Sequence, residues 1–276
     1  MRKLATRLYA IGAAVLLLTL IASPARAQFQ PRMVNQGAIG ERYHLELGAA
    51  IWDTSADMSL SNTALNVAGS TINLKNDLGA ADQKFGGFDL ILRPAVKHKF
   101  RVQLVPVHYS ATAVPKSALT FGGQTFPAGV PVSSRIHWRA WRFGYEYDAA
   151  VGPRGFLGFI LDVKYTDVDA SLTSAAAGTR SASARAPVPA IGGILRVYPA
   201  SHLALTGEIT GFKWPGGWIW SGSGDFLDLD AYATLNLVNA VGVELGYRSF
   251  KVNYSLTNDS GNFKLEGPYL GAVLRF

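Results

Sequence analysis

Gly267-Pro268-Tyr269-Leu270-Gly271-Ala272-Val273-Leu274-Arg275-Phe276 ends the chain. In an extended strand Leu270, Ala272, Leu274 and Phe276 share one face, and Tyr269, Gly271, Val273 and Arg275 share the other. The first face is wholly apolar. The second mixes a phenol, a glycine, a valine and a guanidinium. A strand built this way has one side suited to hydrocarbon and one suited to a polar interior.

The same rule runs back through the sequence. Tyr43, Leu45, Leu47, Ala49 and Ile51 alternate with His44, Glu46, Gly48 and Ala50. Leu157, Phe159, Leu161, Val163 and Tyr165 alternate with Gly158, Ile160, Asp162, Lys164 and Thr166. Leu227, Leu229, Ala231, Ala233, Leu235 and Leu237 alternate with Asp228, Asp230, Tyr232, Thr234 and Asn236. The pattern predicts strands near 41–54, 84–93, 98–112, 134–148, 155–172, 183–198, 202–213, 225–237, 241–256 and 262–276. Most exceed the roughly 9–11 residues a tilted strand needs to cross a bilayer. Short turns are expected around 94–97, 149–154, 199–201 and 238–240. Longer segments at 55–83, 113–133, 173–182, 214–224 and 257–261 alternate with them, which is the loop rhythm of bacterial outer-membrane barrels. Residues 173–186, rich in Ser, Ala, Thr and Arg, read as a flexible loop. Segment 55–83 has room for a further hairpin and weak segments could merge, so eight or twelve strands stay open beside ten.

Residues 1–27 read as a cleaved export signal. Arg2, Lys3 and Arg7 precede an apolar run from Leu8 to Ala22, Ser23-Pro24 breaks it, and Ala25-Arg26-Ala27 offers the small residues of a cleavage site. Residues 28–40 are then a periplasmic N-terminal segment and 41–276 the barrel. Removing four positive charges (Arg2, Lys3, Arg7, Arg26) lowers the formal net charge from +7 to +3. The basic balance therefore gives no argument for nucleic-acid binding. There is no cysteine, which excludes thiolate metal sites and thiol nucleophiles. The chain after residue 27 has no second apolar run near 20 residues, so membrane crossing requires a closed barrel, in which every backbone group is paired. The expected fold is all-β: a closed antiparallel transmembrane up-and-down barrel. A soluble β-sandwich also alternates. Against it stand the charges on one face of nearly every strand, little sign of a shared apolar core, and aromatics near strand ends (Trp52, Tyr109, Trp138, Trp141, Tyr145, Tyr147, Tyr198, Trp214, Trp218, Trp220, Tyr247, Tyr254 and Tyr269), as in an interfacial girdle.

The last strand resembles the terminal recognition strand of outer-membrane proteins. Gly271 matches the glycine of that motif, Leu274 and Phe276 match its terminal hydrophobic places, and Tyr269 lies within it. The resemblance implies delivery by the barrel assembly machinery. The whole chain after residue 27 also resembles a group of small, largely uncharacterised outer-membrane β-barrel proteins. That likeness rests on Asn76-Asp77-Leu78-Gly79, Thr125-Phe126-Pro127-Ala128-Gly129, Phe143-Gly144-Tyr145-Glu146-Tyr147 and the Gly267–Phe276 ending. It implies fold and location in the outer membrane, among lipid and lipopolysaccharide, and brings no catalytic residue and no cofactor.

With the apolar faces towards lipid, fifteen charges line the interior: Glu46, Asp89, Arg93, Arg101, Arg142, Glu146, Asp162, Lys164, Arg196, Glu208, Asp228, Asp230, Glu244, Arg248 and Arg275. A barrel of about eight to ten strands has little free bore. The expectation is therefore a polar, ion-paired plug with a structural or surface-interaction role. The alternative is a narrow channel for small polar solutes or ions; an outer-membrane hydrolase is weaker still. Asp225, Asp228 and Asp230, with Asp53 and Asp57, are acids near outer strand ends, in no metal-loop spacing. Among His44, His98, His108, His137 and His202, only His108 and His137 fall towards the outer side, and no triad motif accompanies them, so no enzyme activity is expected. Trp214, Trp218 and Trp220 read as an interfacial cluster. Arg135, Arg139, Arg180 and Arg185 could meet lipopolysaccharide phosphates. Oligomeric state is not readable from these features.

Overall fold

The computed structural model describes residues 38–62, 69–216, 222–256 and 259–276. The expected export signal, most of the 28–40 segment, and Trp218 and Trp220 lie outside the described residues. The elements are β1 (Leu45–Asn62), β2 (Ile72–Asn73), β3 (Gln83–Ala95), β4 (His98–Ala113), β5 (Leu119–Phe121), β6 (Gln124–Phe126), β7 (Val132–Gly152), β8 (Gly155–Ser174), β9 (Gly178–Ala200), β10 (Leu203–Trp214), β11 (Gly222–Val238), β12 (Val241–Leu256) and β13 (Asp259–Arg275). Ten of them, all but β2, β5 and β6, form the antiparallel wall in which each long strand pairs with the next, and the short β2 adds to the same sheet against β1. The sheet closes because β13 returns to β1, in register from Glu46↔Arg275 to Asn62↔Asp259. At the seam the Phe276 N–H donates to the Leu45 carbonyl at 2.8 Å, and the Phe276 carbonyl accepts from the His44 N–H at 2.7 Å. The ten-stranded closed barrel is the fold the alternation predicts.

Several strands outrun the expected boundaries. β1 continues to Asn62 into a segment expected to be loop. Residues 173–186 are not a flexible loop: β8 runs to Ser174 and β9 begins at Gly178, leaving a three-residue turn with Gly178 at φ +67°. In 55–83 no second transmembrane hairpin exists among the described residues, only the short β2 pairing Leu60↔Ile72. β7 and β9 hold 21 and 23 residues. At about 3.3 Å per residue and a tilt near 45°, such strands climb roughly 50 Å. An outer-membrane apolar band is only about 25 Å tall, so half of the barrel must stand clear of lipid.

The sequence marks where. Along lower β7 the outward residues are Trp141, Phe143, Tyr145 and Tyr147, and the inward ones Arg142, Gly144, Glu146 and Asp148. Along upper β7 the outward residues are Ser133, Arg135, His137 and Arg139, and the inward ones Val132, Ile136, Trp138 and Ala140. The apolar parity inverts at Ala140-Trp141. It inverts at Leu104-Val105 in β4 and at Ile51-Trp52 in β1. In β13 Lys264 and Glu266 face out above while Leu270 and Leu274 face out below. The lower storey is turned to lipid and the upper to water. The upper storey is filled by an apolar core: Met58, Ile72, Leu74, Leu78, Tyr109, Phe121, Phe126, Val132, Ile136, Trp138, Leu172, Phe263 and Leu265 are all buried. This corrects the expectation of little shared apolar core. Ile72, Phe121 and Phe126, from the two loops above the barrel, close it at the top.

Candidate functional site

The interior of the lower storey gathers the charges. All fifteen residues placed there by parity face the lumen. Ten are buried, and Asp89, Arg101, Asp230, Glu244 and Arg248 border a cavity of about 70 Å³. Strand pairing brings remote parts of the chain together, so that carboxylates sit between pairs of cations. Glu146 accepts from Lys99 at 2.5 Å and Arg101 at 3.1 Å. Glu208 bridges Arg101, at 2.7 Å, and Arg142. Asp162 accepts from Arg142 Nε at 2.6 Å. Asp228 bridges Lys164 at 2.5 Å and Arg248 at 2.7 Å. Lower down, Glu41 lies 3.1 Å from Arg196 and its carbonyl accepts from Arg93 at 2.8 Å, while Arg275 pairs with Glu46 and donates to Asn236 at 2.7 Å. Three carboxylates have neutral partners instead. Asp89 accepts from Gln103 at 2.6 Å, Asp230 from the Tyr269 hydroxyl at 3.0 Å, and Glu244 from Thr234 at 3.0 Å.

Desolvating so many charges is costly, and only close, multiple pairing offsets it. The result is a cross-linked plug across the membrane-spanning part. Sequence reasoning missed three of its members. Lys99 and Asp148 share the parity of Arg101 and Glu146, so the signal was present but masked by the adjoining turns. Glu41 precedes β1, and no periodicity reaches it.

Above the plug lies a second cavity of about 80 Å³. Its walls include Trp52, Val105, Val107, Trp138, Phe226, Phe250, Val252 and Leu265, and Arg142, Lys164 and Arg248 border it from the plug. The Lys164 ammonium lies 4.2 Å from the Phe226 ring centre, a cation–π contact that joins the two storeys. Trp138 donates its indole N–H to Thr166 Oγ1 at 2.6 Å.

The remaining candidates do not converge. Asp225 accepts from Asn253, Asp53 pairs with Lys84 at 3.4 Å, and Asp57 accepts from Asn73, each away from the buried Asp228. No group of metal-ligating side chains occurs among the described residues. His108 and His137 do meet, with Nδ1 atoms 3.0 Å apart on the outward face of the upper storey, and among the described residues neither ring is hydrogen-bonded to a carboxylate. His44 and His202 bond backbone carbonyls near the short turns, and His98 bonds the Tyr145 hydroxyl. The aromatic girdle is smaller than expected: Trp141, Tyr145, Tyr147 and Tyr247 face out, but Trp52, Tyr109, Trp138, Tyr198, Trp214, Tyr254 and Tyr269 face in. Trp214 is therefore buried rather than interfacial. Just above the Trp141–Tyr165 level, Arg139 and Arg185 share Asp167 at 2.5 and 2.9 Å. The hydrogen bond from Arg185, with the charge of Arg139, holds the Asp167 carboxyl below its ordinary value.

No family model and no curated protein sequence matches the chain. Solved structures do. The outer membrane protease OmpT from Escherichia coli is similar over 84% of this chain and 96% of its own, with a TM-score of 0.55 and 7% identity. Ail, the attachment invasion locus protein of Yersinia pestis, gives a TM-score of 0.37 and 10% identity over 84% of this chain and 99% of its own. The toluene transporter TodX of P. putida gives 0.36 and 7% over 88% and 94%. The chain has the fold of bacterial outer-membrane β-barrels, and the belt of outward apolar residues sets it in that membrane. At such identities the likeness is one of fold alone.

Proposed function

We propose that this protein is a closed outer-membrane barrel that holds a rigid, water-facing upper storey above the lipid, with a structural or surface-interaction role. One observation carries the reading: the lumen is filled at both levels, by ion pairs below and by an apolar core above. The 70 Å³ cavity among Asp89, Asp230, Glu244 and Arg248 holds only a few water molecules. A solute crossing the barrel would have to break several buried ion pairs and then displace packed side chains. The role proposed is not catalytic. His108 and His137 lie on the outward face, and among the described residues neither ring is bonded to the carboxylate that orients a general base. Arg139 and Arg185 stand just above the lipid belt, where lipopolysaccharide phosphates lie, and guanidinium suits phosphate. The barrel assembly machinery is the proposed partner during insertion, through the Tyr269–Phe276 strand. Planar-bilayer conductance of the purified protein tests the reading. The expected record is a quiet bilayer, and steady openings above leak would overturn it in favour of a narrow channel.

A further inference from the structure

Among the described histidines, only His108 and His137 turn to each other. His44 and His202 bond backbone carbonyls through Nδ1, and His98 bonds the Tyr145 hydroxyl. The rings of His108 and His137 lie 4.1 Å apart between centres, tilted by 43°, with their Nδ1 atoms 3.0 Å apart.

Strand register makes this meeting. His108 is on β4 and His137 on β7, and the pairing of those strands, unbroken from His98↔Tyr147 to Ala113↔Val132, sets the two directly opposite. Side chains opposed in this way start from Cβ atoms about 4.5–5.5 Å apart, so two imidazoles on one face must touch. Both have the outward parity of the upper storey and both are exposed. His137 stands one outward position above Arg139, clear of the lipid belt. The spacing of the two rings is therefore held by the barrel wall rather than by a loop.

That spacing suits one class of ligand. Imidazole nitrogen binds a divalent ion such as Zn²⁺ at about 2.0–2.1 Å. Two nitrogens at that distance, and 3.0 Å from each other, subtend an angle of about 95° at the ion. This is the angle between neighbouring ligands of a square or octahedral ion, and falls short of the tetrahedral angle of about 109° that Zn²⁺ adopts. Square or tetragonal sites of nitrogen and oxygen belong to Cu²⁺ and Ni²⁺, and Cu²⁺ binds most tightly in the divalent series. In the neutral pair one Nδ1 carries the proton that the rings share. Moving it to Nε2 of the same ring is a change of tautomer without change of charge, and it leaves both Nδ1 lone pairs to the ion.

The neighbouring charges are mixed. Arg135 and Arg139 flank His137 on β7, and β8 answers them with Asp167 and Asp169. Asp167 takes Arg139 at 2.5 Å and Arg185 at 2.9 Å. Asp169 is exposed directly opposite His137, so a carboxylate lies beside the imidazole pair. No group of three or more ligating side chains gathers among the described residues. The pair thus supplies two ligands, and water fills the other places.

We propose that His108 and His137 chelate one divalent transition-metal ion, Cu²⁺ ahead of Ni²⁺, on the outer wall of the upper storey. The inference goes beyond the surface role and does not depend on it, because a quiet or a conducting lumen leaves the outer wall unchanged. The test uses the full barrel purified in detergent without a histidine tag, with Cu²⁺ alone as the probe in a weakly coordinating buffer. Titration followed by electron paramagnetic resonance should saturate at one ion per barrel, with an axial signal split by two imidazole nitrogens. His108→Gln and His137→Gln should each weaken binding at least tenfold and remove the two-nitrogen pattern. Both positions are exposed, and heat-modifiability checks that the variants fold. Absence of a saturable site in the unaltered barrel would overturn the proposal. So would an affinity and nitrogen pattern unchanged in either folded variant, which would put the ion on another histidine or on the chain's amino terminus.

Discussion

Asp228 shows what a single residue does in this barrel. It is an acceptor shared by Lys164 and Arg248; Asp228 and Lys164 are buried, and the Arg248 side chain is nearly so. Replacing it with asparagine keeps the shape and removes the charge, leaving two buried cations without their counter-ion. Breaking a buried pair of this kind costs about 3–5 kcal/mol. Asp228→Asn should therefore lower the urea midpoint of the folded barrel markedly, read from loss of the heat-modifiable band. Asp167→Asn is the control. It also removes a carboxylate shared by two cations, but Arg139 and Arg185 are about three-fifths exposed. Water takes over what Asp167 supplied, and the midpoint should shift far less. Equal shifts would mean that the lumen is hydrated and the plug loose. The alternation identified Asp228 as an interior charge, because parity alone decides that. It could not assign the partners, since Lys164 and Arg248 meet Asp228 only when β8, β11 and β12 curve around the lumen.

Among the elements, β13 closes the sheet against β1, and Phe276, just past its end, continues the closure through backbone. The Phe276 side chain is 63% exposed, on the lipid-facing row with Leu270 and Leu274, while its main chain bonds Leu45 and His44. Deleting Phe276 removes those bonds together with the terminal aromatic. The amount of heat-modifiable protein in the outer membrane should fall, and unchanged assembly would contradict the reading of this strand as an insertion signal. Strand identity was legible because period two is a local signal, repeated in every element. Strand length was less so. Residues 173–186 look like a loop because Ser, Ala and Thr serve equally well on a water-facing wall, and upper β8 and β9 are such a wall. There the polar face turned outward and the composition resembled a loop, although β8 and β9 stayed paired with each other up to Ser174↔Gly178.

For the whole molecule the decisive feature is the change of parity partway up the barrel. Ten strands could be counted without it, and the lower lumen could be listed without it. The apolar core of the upper storey could not. The shift at Ala140-Trp141 or Leu104-Val105 is two adjacent apolar residues in a row of alternating ones, easily taken for irregularity. It has physical weight because ten neighbouring strands share one membrane surface, so shifts that look incidental one by one line up as a level. That level decides which half touches lipid and which half presents a surface. Thiol accessibility measures it most directly, in a chain with no native cysteine. In outer membranes, a charged maleimide should label Asp169→Cys, outward on upper β8, at least tenfold faster than Leu161→Cys, outward on the same strand but in the lipid belt. Ile136→Cys, inward in the upper core, should be as protected as Leu161→Cys. Comparable labelling of Leu161→Cys and Asp169→Cys, or ready labelling of Ile136→Cys, would contradict the two-storey barrel.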